Sequence, residues 1–236
     1  MDIRQRLLEL QDEKYKQFSS GLIPGCDNMI GVRIPEVRKL AKEIARNNGE
    51  EYLQLSSLER CLFEEKMLYG IVIGYSKLPL QEKFIYLQKF IPFIDNWSIN
   101  DTVCASFRIE DKEKKEWLDF LQPYLLSEQE YAIRFGVVML LNRFIQKEYL
   151  QTLYEIFDKV LTKDYYAMMA VAWAVSICFA KFPEETKEYL KNCILDERTY
   201  RKAIQKACES YQVSTQDKQW LRCETRYGNK SLCMKE

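Results

Sequence analysis

The sequence contains no histidine, and its 236 residues include only 8 Gly and 6 Pro. The absence of histidine removes the commonest general acid or base near neutral pH and a frequent zinc ligand. Scarce glycine and proline, with 47% hydrophobic and 30% charged residues, favour a compact, helix-rich protein and argue against disorder. A net charge is also missing, because 35 Lys and Arg balance 35 Asp and Glu. Overall charge therefore does not indicate nucleic-acid binding, although a local basic face remains compatible with it.

The eight cysteines are widely spread without a CxxC pair, a pattern that indicates reduced thiols packed in the interior. With no histidine beside them, we expect no metal site. Residues 165–180 carry no charge, but this run is shorter than the roughly 18 residues that indicate a membrane span, so we expect a buried helix. The first residues lack an apolar signal core, which predicts a cytoplasmic protein.

Helical segments of similar pattern recur along the chain. When their apolar residues are aligned, Glu65, Asp101, Arg134, Ala170 and Ala203 take equivalent positions, at intervals of 33 or 36 residues. Helix pairs with this period are typical of HEAT or armadillo repeats. The predicted fold is therefore all-α, an α-solenoid of HEAT-like helical repeats that forms a concave cleft. We expect one repeat domain over residues 1–220 and a polar C-terminal tail over 221–236.

The ends of the first elements follow from turn residues. Apolar residues spaced among charges predict an amphipathic helix over 3–18, followed by a loop over 21–31 that is rich in Gly, Pro and Asn. Turns between later helices are expected at Pro79, Pro123 and Pro183.

Trp97 and Asp101 form the most informative pair, because residues four apart project from the same face of a helix. This spacing offers a carboxylate beside an indole face. The alternative is purely structural: Asp95 or Asn96 caps a helix, Trp97 packs in the core and Asp101 is a solvated acid.

Two further residues stand out from their surroundings. Arg134 is the only charged residue between Tyr131 and Asn142, and Trp173 is the bulkiest residue of the uncharged segment. A lone arginine among apolar residues needs an acid, carbonyl groups or an anion as its partner. In a solenoid, Trp97 with Asp101, then Arg134, then Trp173 would lie on three adjacent helices of the concave surface. Arg134 as a packing clamp and Trp173 as a core residue are the alternatives.

The sequence resembles the bacterial DNA alkylation-repair glycosylases built of HEAT-like repeats, the AlkD type, over roughly residues 1–215. The segments that carry this resemblance are GVRIPEVRKLAKEI, EEKMLYGIVIGY, FIPFIDNWSINDTVC, EYAIRFGVVMLL, YYAMMAVAWAVSICFAKFPEET and TYRKAIQKACESYQVS. In that family a Trp and an Asp four residues apart, an Arg one repeat later and a second Trp another repeat on form the lesion-binding cleft. Trp97, Asp101, Arg134 and Trp173 stand at the matching positions.

The resemblance implies a glycosylase that excises cationic N3- or N7-alkylated purines from double-stranded DNA without a cofactor. Asp101 would be the catalytic carboxylate, and Trp97 and Trp173 would bind the lesion. The residues that would contact DNA phosphates are Arg134, Arg33, Arg38, Lys39 and Lys42. We expect the protein to act as a monomer. A non-catalytic HEAT-repeat scaffold that binds protein or structured nucleic acid is the alternative, which the neutral charge favours and the intact Trp, Asp, Arg and Trp set opposes.

Overall fold

The structure, a computed structural model, describes residues 2–223 and 225 and is all-α. Within this part of the chain no strand forms, and the one β-type pairing is an isolated antiparallel bridge between Gln11 and Val32. The prediction of an all-α fold is therefore confirmed. The chain divides after Phe120 into two compact units, which are described in turn.

The first unit contains seven helices and the beginning of an eighth. They are α1 (Ile3–Glu9), α2 (Glu13–Ser20), α3 (Ile34–Asn47), α4 (Gly49–Leu55), α5 (Phe63–Tyr75), α6 (Leu80–Phe90), α7 (Trp97–Cys104) and α8 (Lys114–Leu125). Short 3-10 turns at Ile91–Phe93 and Asp111–Glu113 precede α7 and α8. Helices α3 and α7 both pack against α5, so these three helices form one stacked row.

The second unit follows the same plan. Its described helices are α9 (Glu130–Arg143), α10 (Leu150–Phe157), α11 (Tyr165–Lys181), α12 (Pro183–Asn192), α13 (Glu197–Glu209) and α14 (Thr215–Cys223). A 3-10 turn at Lys147–Tyr149 precedes α10. Helices α9 and α13 both pack against α11, and α12 covers α11 from a further side. Each unit thus stacks the second helices of successive pairs, as the helical-repeat prediction requires.

The uncharged segment forms a largely buried helix of the second unit, α11. Small residues on α11, including Ala167, Ala170 and Ala174, are fully buried, which lets neighbouring helices approach closely. Among the described residues no helix is both long and apolar enough to cross a membrane. The expectation of a buried helix over 165–180 is therefore confirmed.

Three local predictions were wrong. The expected first helix over 3–18 is broken at Leu10–Asp12, where Asp12 accepts a hydrogen bond from Tyr15 N (3.0 Å) and starts α2. Pro123 lies inside the last turns of α8 and does not mark a turn. Cys223 takes part in a disulfide, so the cysteines are not all reduced.

The other described cysteines have free thiols, as expected, whereas α14 continues across residue 221, the predicted start of the tail. The free thiols are Cys26, Cys61, Cys104, Cys178, Cys193 and Cys208. The first residues of the predicted tail, Leu221 to Cys223, complete α14, and Leu221 is buried. The rest of that tail, apart from Thr225, and also Cys233 lie outside the described residues.

A buried carboxylate fixes the loop between α2 and α3. Glu64, on α5, is only 1% exposed and accepts hydrogen bonds from the backbone N–H groups of Ile30 (3.1 Å), Gly31 (2.7 Å) and Val32 (3.1 Å). Gly31 has φ +87°, and a Cβ there would lie 2.6 Å from the Asp12 carbonyl oxygen, so only glycine fits. The loop is thus held by a charge on α5 and by a backbone that only glycine adopts readily.

We expect Glu64→Gln to destabilise the fold by about 3 kcal/mol, because a neutral amide loses the charge-assisted bonds and turns an N–H donor toward other donors. Chemical denaturation measures this loss. Glu59→Gln, at an exposed position of the same unit, is the matched control. Equal stability of the two variants would show that other contacts hold the loop.

Candidate functional site

Trp97 is the first residue of α7, and two contacts orient it. The Asn96 side chain caps the helix by accepting a hydrogen bond from Ile99 N at 2.9 Å. Of the two capping residues considered from the sequence, Asp95 and Asn96, the cap is therefore Asn96. The half-buried Trp97 indole donates its Nε1–H to the carbonyl oxygen of Leu22 at 3.2 Å. The ring is therefore attached to the loop that Glu64 holds.

Asp101 lies one turn further along α7 and is half-buried. Its Oδ1 accepts a hydrogen bond from Nδ2 of Asn100 at 3.0 Å. Asn100 is fully buried, and its own Oδ1 has no hydrogen-bond partner. The carboxylate is thus held by a neighbour whose side chain cannot move into solvent, while part of Asp101 remains accessible.

The surroundings of Trp97 hold further charges but no activated thiol. Lys66 on α5 forms an ion pair with Asp95, just before α7. Burial, and after it the negative charge of Asp95, raises the pKa of the nearby Cys26 thiol to about 11. Cys26 is therefore protonated at neutral pH and is no nucleophile. Among the described residues no group of three or more Cys, Asp or Glu side chains is arranged to hold a metal ion.

Arg134, in the second unit, makes the contacts expected of a packing residue. It is 6% exposed, donates from Nη1 to the Tyr166 carbonyl oxygen at 2.9 Å, and places its guanidinium 5.9 Å from the centre of the Tyr166 ring. Those contacts clamp α9 to the start of α11. Trp173 lies on α11, which packs against α9, and is half-buried, not fully buried in the core.

A lysine that the sequence reasoning missed lies near Arg134. Burial lowers the pKa of Lys206 on α13; the negative charge of Glu209 opposes this shift, and the positive charges of Lys202 and Arg134 add to it. Three cations and one acid thus lie near one another in the second unit, a net positive charge that favours an anionic partner. Lys206 follows Trp173 by 33 residues, one of the two repeat intervals, and this spacing was a signal that could have identified it.

The four basic residues expected to contact DNA near the N-terminus differ in what they already bind. Arg33 pairs with Asp12 at 2.8 Å, whereas Arg38 donates to Tyr75 Oη, Ser106 Oγ and the Thr102 carbonyl oxygen. Arg38 thereby ties α3 to α5 and to α7. Lys39 and Lys42 are exposed on α3, with Lys42 5.8 Å from the Tyr75 ring centre. A phosphate contact stays a prediction for all four.

The structure therefore places the predicted site residues in two pairs. Trp97 and Asp101 share α7 of the first unit, and Arg134 and Trp173 lie on the adjacent helices α9 and α11 of the second. Their convergence on one concave cleft stays a prediction. The groups that sequence reasoning missed are a backbone carbonyl (Leu22), a buried amide (Asn100), an aromatic ring (Tyr166) and a lysine (Lys206).

The sequence was compared with protein-family models and with curated proteins to ask which function this arrangement serves. A family model described as DNA alkylation repair enzyme matches residues 3–222, a range that includes both pairs of site residues. A comparison with curated proteins gave no significant match.

Proposed function

The chain belongs to the family of DNA alkylation repair enzymes, and from that premise we propose that it is a DNA glycosylase. Its substrates are purines made cationic by alkylation at N3 or N7, in double-stranded DNA. The observation that carries the proposal is the accessible carboxylate of Asp101 one turn after an oriented tryptophan on α7. We further propose that it acts as a monomer in the cytoplasm.

The proposed reaction needs little from the protein. The bond between C1′ of the deoxyribose and the base nitrogen breaks, and its electron pair neutralises the positive charge of the departing base. C1′ becomes oxocarbenium-like, then bonds to a water oxygen, and that water releases its proton to solvent. The Asp101 carboxylate stabilises the positive sugar and orients the water, as the carboxylates of glycosidases do.

The remaining residues bind and position the substrate in this proposal. Trp97 and Trp173 offer π faces to the cationic nucleotide, each contact contributing about 0.5 to 2 kcal/mol. Arg134 and Lys206 bind phosphates near the lesion, which their gathering of positive charge supports. Lys39 and Lys42, exposed on α3, contact the backbone further along.

The first prediction concerns which bases are released. Neutral lesions such as uracil and hypoxanthine depart poorly unless an acid protonates them, and this chain has no histidine to do so. We therefore expect release of N7-methylguanine and no release of uracil or hypoxanthine, measured with defined duplexes under single-turnover conditions. Similar rates on the neutral lesions would contradict the proposed mechanism, and no release of any base would support the non-catalytic alternative.

The second prediction tests Asp101. Asp101→Asn keeps the size of the side chain and an oxygen that still accepts the Asn100 hydrogen bond, but removes the negative charge. We expect excision to slow by orders of magnitude with DNA binding nearly unchanged, because the lost interaction acts on charge that develops in the transition state. Asp119→Asn, an exposed position on α8, is the control. Parallel losses of binding and rate would count against Asp101 as the catalytic group.

The third prediction separates phosphate binding from packing in the second unit. Lys206→Gln should lower the slope of log K against log salt for duplex DNA by about 0.9, the value for one phosphate contact, with little change in Tm. Arg134→Ala should lower the slope similarly and also lower Tm, because it removes the bond to the Tyr166 carbonyl. Lys159→Gln removes one exposed charge of the same unit as a control. An unchanged slope in both variants would leave Arg134 as a packing clamp only.

A further inference from the structure

A polar cavity that neither Trp97 nor Asp101 lines lies in the first unit. It measures about 550 Å³ and is enclosed by the end of α3, the α5–α6 connection, the start of α6 and the segment that leads from α7 into α8. At one wall, Gly74 approaches Ser106 so closely that a Cβ would lie 2.9 Å from the serine Cβ. The end of α5 and the segment after α7 are therefore in close contact at this wall.

Positive charge dominates this cavity, although the chain as a whole is neutral. The charged residues that line it are Lys42, Arg46, Lys77, Lys83, Arg108, Glu110 and Glu113. Both acids are already engaged: Glu110 pairs with Lys112 at 2.7 Å, and Glu113 accepts a hydrogen bond from Glu110 N at 3.2 Å. Among the described residues Arg46, Lys77 and Arg108 form no ion pair. Their charges are thus available to an anion.

Two of the lining groups bear on what this cavity could hold. Lys83 is half-buried in the first turn of α6, where the helix dipole disfavours a cation. Burial lowers its pKa, and the negative charge of Glu113 opposes that shift. Trp117 is 1% exposed, and its buried indole N–H has no hydrogen-bond acceptor in the described part of the chain. Buried donors are nearly always paired, so this N–H is an exception in a residue that lines the cavity.

We propose that this cavity binds a phosphate group, with Arg46, Lys77, Lys83 and Arg108 around it. Guanidinium groups match phosphate oxygens in pairs, and several fixed cations compensate the charge of a phosphate better than that of a single carboxylate. The phosphate belongs either to the DNA backbone away from the lesion or to a small free anion. The site is separate from the proposed base-excision chemistry and does not depend on it.

The test uses Arg46→Gln/Arg108→Gln, which removes two exposed cations that form no ion pair and so should leave the fold intact. Lys14→Gln/Lys89→Gln removes two exposed cations elsewhere in the same unit as a matched control. One measurement is the rise of Tm with inorganic phosphate at constant ionic strength set by chloride. The other is the salt dependence of binding to undamaged duplex DNA.

We expect phosphate to raise Tm in the wild type and the control but not in the cavity variant. If the slope of log K against log salt for DNA binding falls by about 0.9 per contact in the cavity variant alone, the phosphate belongs to the DNA backbone. This conclusion holds whether or not inorganic phosphate changes Tm. An unchanged slope with a lost Tm response identifies a small free anion.

The proposal is overturned if neither measurement separates the cavity variant from the control, in which case the cations only cover the surface. Lys77→Gln, a single exposed change beside α5, replaces the double variant if that protein does not fold. Release of methylated purines by the wild type is scored separately, so a failure of the glycosylase proposal is distinguishable from a failure of this one.

Discussion

The buried carboxylate of Glu64 is the constraint on which the first half of the candidate site depends. A charge that is 1% exposed is stable only with several strong donors around it, and the three consecutive N–H groups from Ile30 to Val32 supply them. Those bonds determine the path of the loop that precedes α3. The same loop presents the Leu22 carbonyl to Trp97. The orientation of the Trp97 indole therefore depends on Glu64, an acid on α5 that is not itself a site residue.

Neutral overall charge does not mean a neutral surface. Many acids of this chain are engaged within the fold, as Glu64 is with backbone N–H groups and Asp12 is with Arg33. Cations such as Lys206 and Arg108, by contrast, form no ion pair within the described residues. An approaching polyanion responds to these local concentrations of charge, since interactions beyond about 8 Å are largely screened at physiological salt. Net charge was therefore a poor argument for the non-catalytic scaffold that binds protein or structured nucleic acid.

The sequence predicted the features that leave a periodic pattern of apolar residues. It did not predict features that depend on contacts between residues distant in the chain. Apolar spacing predicted the helices that became α5, α9 and α11, and the repeat interval predicted that such helices stack. The break at Leu10–Asp12 was missed because the apolar spacing continues through it, while the capping bond of Asp12 is a local competitor of the helix. The sequence could not reveal the hydrogen-bond acceptor of Trp97, because it is a backbone carbonyl 75 residues away and every residue type has a backbone carbonyl.

The buried side chain of Asn100 lowers the stability of the fold at the candidate site. A buried oxygen without a donor costs about 1–3 kcal/mol, and Oδ1 of Asn100 has none. Rotating the amide by half a turn would not relieve it, since that oxygen would then face the Asp101 carboxylate and the N–H₂ donors would lose their acceptor. An apolar residue of similar size would remove the cost but would also remove the Asn100 hydrogen bond to Asp101. A buried amide that donates to a half-buried carboxylate is what an electrostatic site requires, because a charge stabilises a transition state only when its position is fixed before the reaction begins.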